Sequence, residues 1–145
     1  MIMCLQLYAW DTERTDTMFL RLLKSKIHRA VVSETNLNYE GSMTIDATLM
    51  EAAGILPYEE ISVWNVTSGE RFTTYAVPGK PDSGELIVNG AAAHKARKGD
   101  IIIIATFAYV DAAIAANHKP TIILVDKSNQ ISKKYNEVPY RSRVV

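Results

Sequence analysis

What most restricts the fold of this chain is a succession of short β-branched runs, each broken by glycine, proline or a polar turn within about ten to twenty residues of the last. The candidate strands are residues 26–32 (KIHRAVV), 61–66 (ISVWNV), 71–77 (RFTTYAV), 85–89 (ELIVN), 101–107 (IIIIATF) and 121–125 (TIILV). Thr67, Ser68 and Gly69 supply a turn between the second and third runs, which predicts a hairpin. In its returning strand, period-two alternation puts Arg71, Thr73, Tyr75 and Val77 on one face and Phe72, Thr74 and Ala76 on the other. Residues 77–84 (VPGKPDSG) hold two prolines and two glycines and cannot continue a ladder. Helix is scarce. Asp46 is placed to cap a short helix over ATLMEAA, with Leu49, Met50 and Ala53 on one stripe and Gly54 to end it, and a second turn starts near Ala91. The pattern predicts a mainly β chain, a small barrel of about six strands with one or two short helices.

Composition sets the function classes aside one by one. A chain of 145 residues with 48% hydrophobic content fits one domain able to bury about 70% of its unfolded surface. Sixteen Lys and Arg balance sixteen Asp and Glu, so the basic footprint of a nucleic-acid binder is missing. A single cysteine, Cys4, suits a reducing compartment, and His28, His94 and His118 lie too far apart to match a metal-ligand motif, so neither metal nor disulfide is expected. The apolar stretch 101–116 (IIIIATFAYVDAAIAA) is too short to span a membrane and carries Asp111; it reads as a buried strand followed by an Ala-rich turn. The opening MIMCLQLYAW lacks a basic leader and a small-residue cleavage site, so a cytoplasmic location is expected. Residues 1–17 read as an N-terminal extension, residues 18–126 as the domain, and residues 127–145 as a basic, solvated tail.

No dinucleotide-binding turn, phosphate loop, HExxH or GxSxG segment is present. Glu59 and Glu60 are adjacent, and neighbours on a strand face opposite ways, so they do not form a carboxylate pair. Three segments hold polar residues that packing does not demand: Tyr39-Glu40-Gly41-Ser42, residues 71–75, and Asn89-Gly90-Ala91-Ala92-Ala93-His94. Singly, each has an ordinary reading as a turn, a solvent-facing strand or a hairpin.

Together, in this order and at this spacing, they resemble the pyruvoyl-dependent aspartate 1-decarboxylases. The likeness runs through KSKIHRAVV, LNYEGSMTIDATLMEAAGI, ISVWNVTSGERFTTYA and VNGAAAHKARKGDIIIIATF, over about residues 18–125. It implies a homotetramer of six-stranded double-psi β-barrels in the bacterial cytoplasm. The implied reaction is conversion of L-aspartate to β-alanine and carbon dioxide for pantothenate synthesis. The implied cofactor is a pyruvoyl group generated from Ser42 by cleavage after Gly41, with no metal and no pyridoxal phosphate; it forms a Schiff base with the substrate amine and acts as an electron sink. Gly41 suits the cleavage because it tolerates a strained loop and leaves its carbonyl open to the Ser42 hydroxyl.

The resemblance also assigns roles. Tyr75 matches the proton donor, Thr74 a residue that assists cleavage and contacts substrate, and Gly90, Ala91 and Ala92 a backbone segment against which substrate lies. Arg71 and Lys26 match the cations that hold the substrate carboxylates, and Trp64 and Asn89 shape the pocket. Strand alternation sends Thr74 and Tyr75 to opposite faces, in tension with a shared site. The chain departs from the pattern in residues 1–17, after about Lys127, and at Lys95, where some members carry a small residue or cysteine. Two other readings stand beside this one: an uncleaved barrel serving as an interaction domain, and a pyruvoyl decarboxylase of another acidic amino acid. Nucleic acid and membrane are not expected partners.

Overall fold

A computed structural model describes residues 16–137, so the expectations for residues 1–15 and 138–145 lie outside the described residues. The chain forms β1 (Phe19–Val31), β2 (Glu34–Asn36), β3 (Met43–Asp46), α1 (Ala47–Ala53), β4 (Glu60–Asn65), β5 (Arg71–Gly79), β6 (Leu86–Asn89), β7 (Ile101–Asp111), β8 (Thr121–Val125) and β9 (Ile131–Tyr135). Short 3-10 turns span Gly90–His94 and Ala115–Asn117. The fold is mainly β, and its strands hydrogen-bond in the order β2-β6-β3-β5-β4-β7-β1-β8-β9. Three neighbouring pairs run parallel, β1 with β8, β2 with β6 and β3 with β5, and the rest antiparallel.

All six expected runs are strands, and β1 begins earlier, at Phe19. Three strands were not expected. β2 and β3 span three and four residues, too few for a period to declare itself. β9 lies inside the basic stretch after residue 127, where Lys133 and Lys134 mask the strand pattern; as the last strand of the order, it carries the charges that discourage further pairing at an edge. The stretch 101–116 becomes strand β7 followed by a turn, and no helix among the described residues is long and apolar enough to cross a membrane.

Ile27, Met43, Ile45, Ile61, Val63, Leu86, Val88, Ile102, Ile104 and Ile123 are fully buried and join Leu49, Met50 and Ala53 from α1 in one core. The helix forms where the sequence places it. Asp46 accepts from the Thr48 amide at 2.8 Å, and Gly54, with φ 69°, ends the last turn with its N–H on Glu51 O. Buried Asp46 also accepts from the amides of Asp82 (3.0 Å) and Gly84 (2.8 Å), so one carboxylate caps α1 and pins the loop after β5.

Strand β5 changes partner part-way: Arg71–Tyr75 pairs with β4, and only from Ala76, opposite Met43, does β3 join its other edge. The segment just before β3, which ends in Gly41 and Ser42, therefore lies beside Thr74 and Tyr75 without forming ladder bonds to them.

Candidate active site

The Gly41–Ser42 step has an unusual backbone. Gly41 has φ 100°, and Ser42, which is not a glycine, has φ 82°, a left-handed conformation costing about 1–3 kcal/mol that persists only where its surroundings impose it. The surroundings do so from the β6 side. Ser42 is 3% exposed, its carbonyl accepts from the Asn89 amide at 3.1 Å, and its Oγ accepts from Asn89 Nδ2 at 3.3 Å. The second Asn89 side-chain proton goes to Thr44 Oγ1 at 3.0 Å, so the donor is held on both sides. Gly90 is the floor under the loop. With φ 62° it already favours glycine, and a Cβ there would stand 2.7 Å from Gly41 Cα and 2.8 Å from Gly41 N. At Gly41 a Cβ would meet nothing within 4 Å beyond its chain neighbours, and the positive φ asks for glycine.

A cavity of about 370 Å³ opens over this step, lined by Gly41, Ser42, Thr74, Tyr75, Ala91 and Ala92 together with Phe72, Thr73, Asn89 and Lys95. Three segments far apart in sequence meet there: residues 39–42, 71–75 and 89–94. The tension over Thr74 and Tyr75 resolves at the change of partner in β5. The cavity lies where β5 changes partner, and both Thr74 and Tyr75 line it. On its other side Tyr75, 40% exposed, borders a shallower depression with Tyr58 and Glu60.

Two expected site residues lie elsewhere in the chain. Arg71 places its guanidinium 5.0 Å from the centre of the Trp64 ring and does not line the cavity. Lys26 sits on β1 opposite Ala105, also away from it, and burial lowers its pKa from the ordinary lysine value. His28, two residues on, has its pKa lowered first by burial and then by the positive charges of Lys26 and Arg29; its Nδ1 is buried without a hydrogen-bond partner. Among the described residues no group of three His, Cys, Asp or Glu is placed to hold a metal ion.

The family model for aspartate decarboxylase matches residues 18–132. A protein from Acinetobacter baumannii named aspartate 1-decarboxylase is 53% identical over 122 residues, covering 84% of this chain and 97% of that protein. Proteins of the same name from Syntrophus aciditrophicus and Syntrophobacter fumaroxidans are 54% and 58% identical, covering 76% and 75% of this chain and 95% and 88% of their own lengths. The chain belongs to the aspartate decarboxylase family. For a member of that family the meeting of the YEGS, RFTTY and NGAAAH segments at one cavity gives the sequence likeness a location, since each segment lends at least two lining residues.

The structure adds detail at two residues of this candidate site in an aspartate decarboxylase family member. Asn89, expected to shape the pocket, lines the cavity and also donates directly to Ser42 Oγ, a contact that spacing in the sequence does not announce. Lys95, a departure from the pattern expected to alter the pocket's outer shell, lines the cavity itself.

Proposed function

We propose that this chain cuts itself between Gly41 and Ser42 and, once matured, decarboxylates L-aspartate to β-alanine and carbon dioxide, as a cytoplasmic homotetramer of double-psi barrels. The carrying observation is the left-handed, buried Ser42 whose Oγ accepts a hydrogen bond from a doubly held Asn89. In the proposed maturation, Ser42 Oγ attacks the Gly41 carbonyl carbon and the amide becomes an ester. Loss of the Ser42 α-proton then expels residues 1–41 as a carboxylate and leaves dehydroalanine at position 42. Water replaces its nitrogen, ammonia departs, and a pyruvoyl group begins the chain 42–145. The Asn89 amide fixes the direction of Oγ, and strain in the Gly41–Ser42 backbone is relieved when the bond opens.

The pyruvoyl group supplies an electron-withdrawing ketone for the substrate's α-carbon. The rest is done by the chain's own side chains. The hydroxyl of Tyr75 is a hydrogen-bond donor and is assigned proton delivery to the α-carbon after carbon dioxide leaves. Thr74 contacts substrate beside it, and the small side chains of Ala91 and Ala92 let substrate approach the backbone of the 3-10 turn. Arg71, through its planar fork, and Lys26 are assigned to hold the substrate carboxylates, although neither lines this cavity. The parallel pairs β1/β8 and β3/β5 within an otherwise largely antiparallel sheet support the barrel reading.

The test is to incubate purified, matured protein with L-aspartate. Equimolar β-alanine and carbon dioxide are expected; matured protein that yields neither overturns the reading, and release of carbon dioxide from L-glutamate in preference would reassign the substrate.

A further inference from the structure

Lys95 is the only cationic residue lining the Ser42 cavity of the protomer, among the described residues. Its backbone is fixed at both ends: its N–H donates to Ala92 O at 2.9 Å, closing the 3-10 turn, and its carbonyl accepts from Asn65 Nδ2 at 3.1 Å. Its side chain is about half exposed and pairs with Glu70, at 2.8 Å from Nζ to Oε2. Glu70 is itself held in place, because buried Asn65 accepts from the amides of Thr67 and Ser68 at 3.0 Å and so shapes the turn that carries it. Lys95 also lines a second, polar cavity of about 330 Å³ with Glu70, His94, Arg97 and Asp100. It forms the wall between that cavity and the one over Ser42.

We propose that Lys95 is a carboxylate-binding residue at the rim of the active site, shared between Glu70 in the free enzyme and the substrate carboxylate that is not lost. The inference rests on the dicarboxylate substrate proposed above. An exposed ion pair is weak, so an incoming carboxylate competes with Glu70 readily. The carboxylate held in this way is the same before and during loss of carbon dioxide, so the contact strengthens substrate and transition state equally and acts on KM, not on kcat.

The test uses processed wild-type protein and the variants Lys95→Ala, Lys95→Arg and Glu70→Gln, each with its cleavage verified by mass. Two quantities are read: KM and kcat for L-aspartate, and the affinity for succinate by calorimetry, a dicarboxylate with no amine to react. Lys95→Ala should weaken succinate binding and raise KM by about three- to tenfold with kcat within about twofold, while Lys95→Arg should stay within about twofold of wild type. Glu70→Gln frees the lysine and should tighten both. Opposite signs for the two partners support the proposal. A merely structural ion pair would move both variants the same way, and that result, or an unchanged succinate affinity in Lys95→Ala, overturns it. Matured wild-type protein that binds succinate yet makes no β-alanine speaks against the reaction, whereas Lys95 is still judged by the succinate series.

Discussion

Some residues touch the Gly41–Ser42 bond proposed to open, and others are proposed to act later. Ser42, Asn89 and Gly90 shape the bond, and Tyr75 stands at the cavity wall. Tyr75→Phe removes only a hydroxyl, so the chain should still divide while kcat falls by about 10²- to 10⁴-fold with little change in KM, measured by β-alanine release. Undiminished turnover would take proton delivery away from Tyr75. His28 offers a test away from the cavity. Its folded-state pKa lies below the ordinary 6.5, chiefly through burial and then through Lys26 and Arg29. The unfolded chain therefore binds the proton more readily, and stability present above pH 6.5 is lost as pH falls toward and through the folded value. Urea midpoints at pH 5 and 7.5 should differ more for wild type than for His28→Gln; equal differences would show that His28 carries none of the acid sensitivity.

Elements show why some of this was legible in the sequence and some was not. Helix α1 was readable because start, stripe and stop are all local: Asp46, then Leu49, Met50 and Ala53, then Gly54. What stayed hidden is that Asp46 also binds two amides after β5, a contact between residues more than thirty apart. Asp46→Asn halves the acceptor capacity and puts a donor against backbone N–H groups, and should cost about 2 kcal/mol or more in denaturant unfolding; a loss below about 0.5 kcal/mol, the level of an ordinary surface change, would deny Asp46 its double role. Alternation in β5 is legible in the sequence, and Phe72, Thr74 and Ala76 are the more buried set. It could not foretell that Thr74 and Tyr75 share a cavity, because alternation assigns faces and says nothing of where a strand exchanges one partner for another. Nor could spacing place Arg71, whose position over Trp64 depends on the cross-strand register of β4 and β5.

At the scale of the whole molecule, the β1/β7 ribbon extends past its neighbours, as β8 joins β1 only from Ser25 and β4 pairs with β7 only over residues 102–105. Phe19, Tyr109 and Ile114 near its outer end are 57%, 74% and 60% exposed. A two-stranded ribbon is marginal alone in water, and such apolar surface suits contact with further copies of the chain; light scattering should return the mass of four protomers, and a monomer would remove the tetramer from the proposal. The central claim is the maturation at Gly41 and Ser42, and intact-protein mass spectrometry of freshly purified chain reads it directly. The account predicts two species, residues 1–41 ending in a free carboxylate and residues 42–145 lighter by one ammonia than a chain begun by serine, with Ser42→Ala remaining whole. A single uncut chain, a second species begun by unmodified serine, or a Ser42→Ala variant that still divides would contradict it.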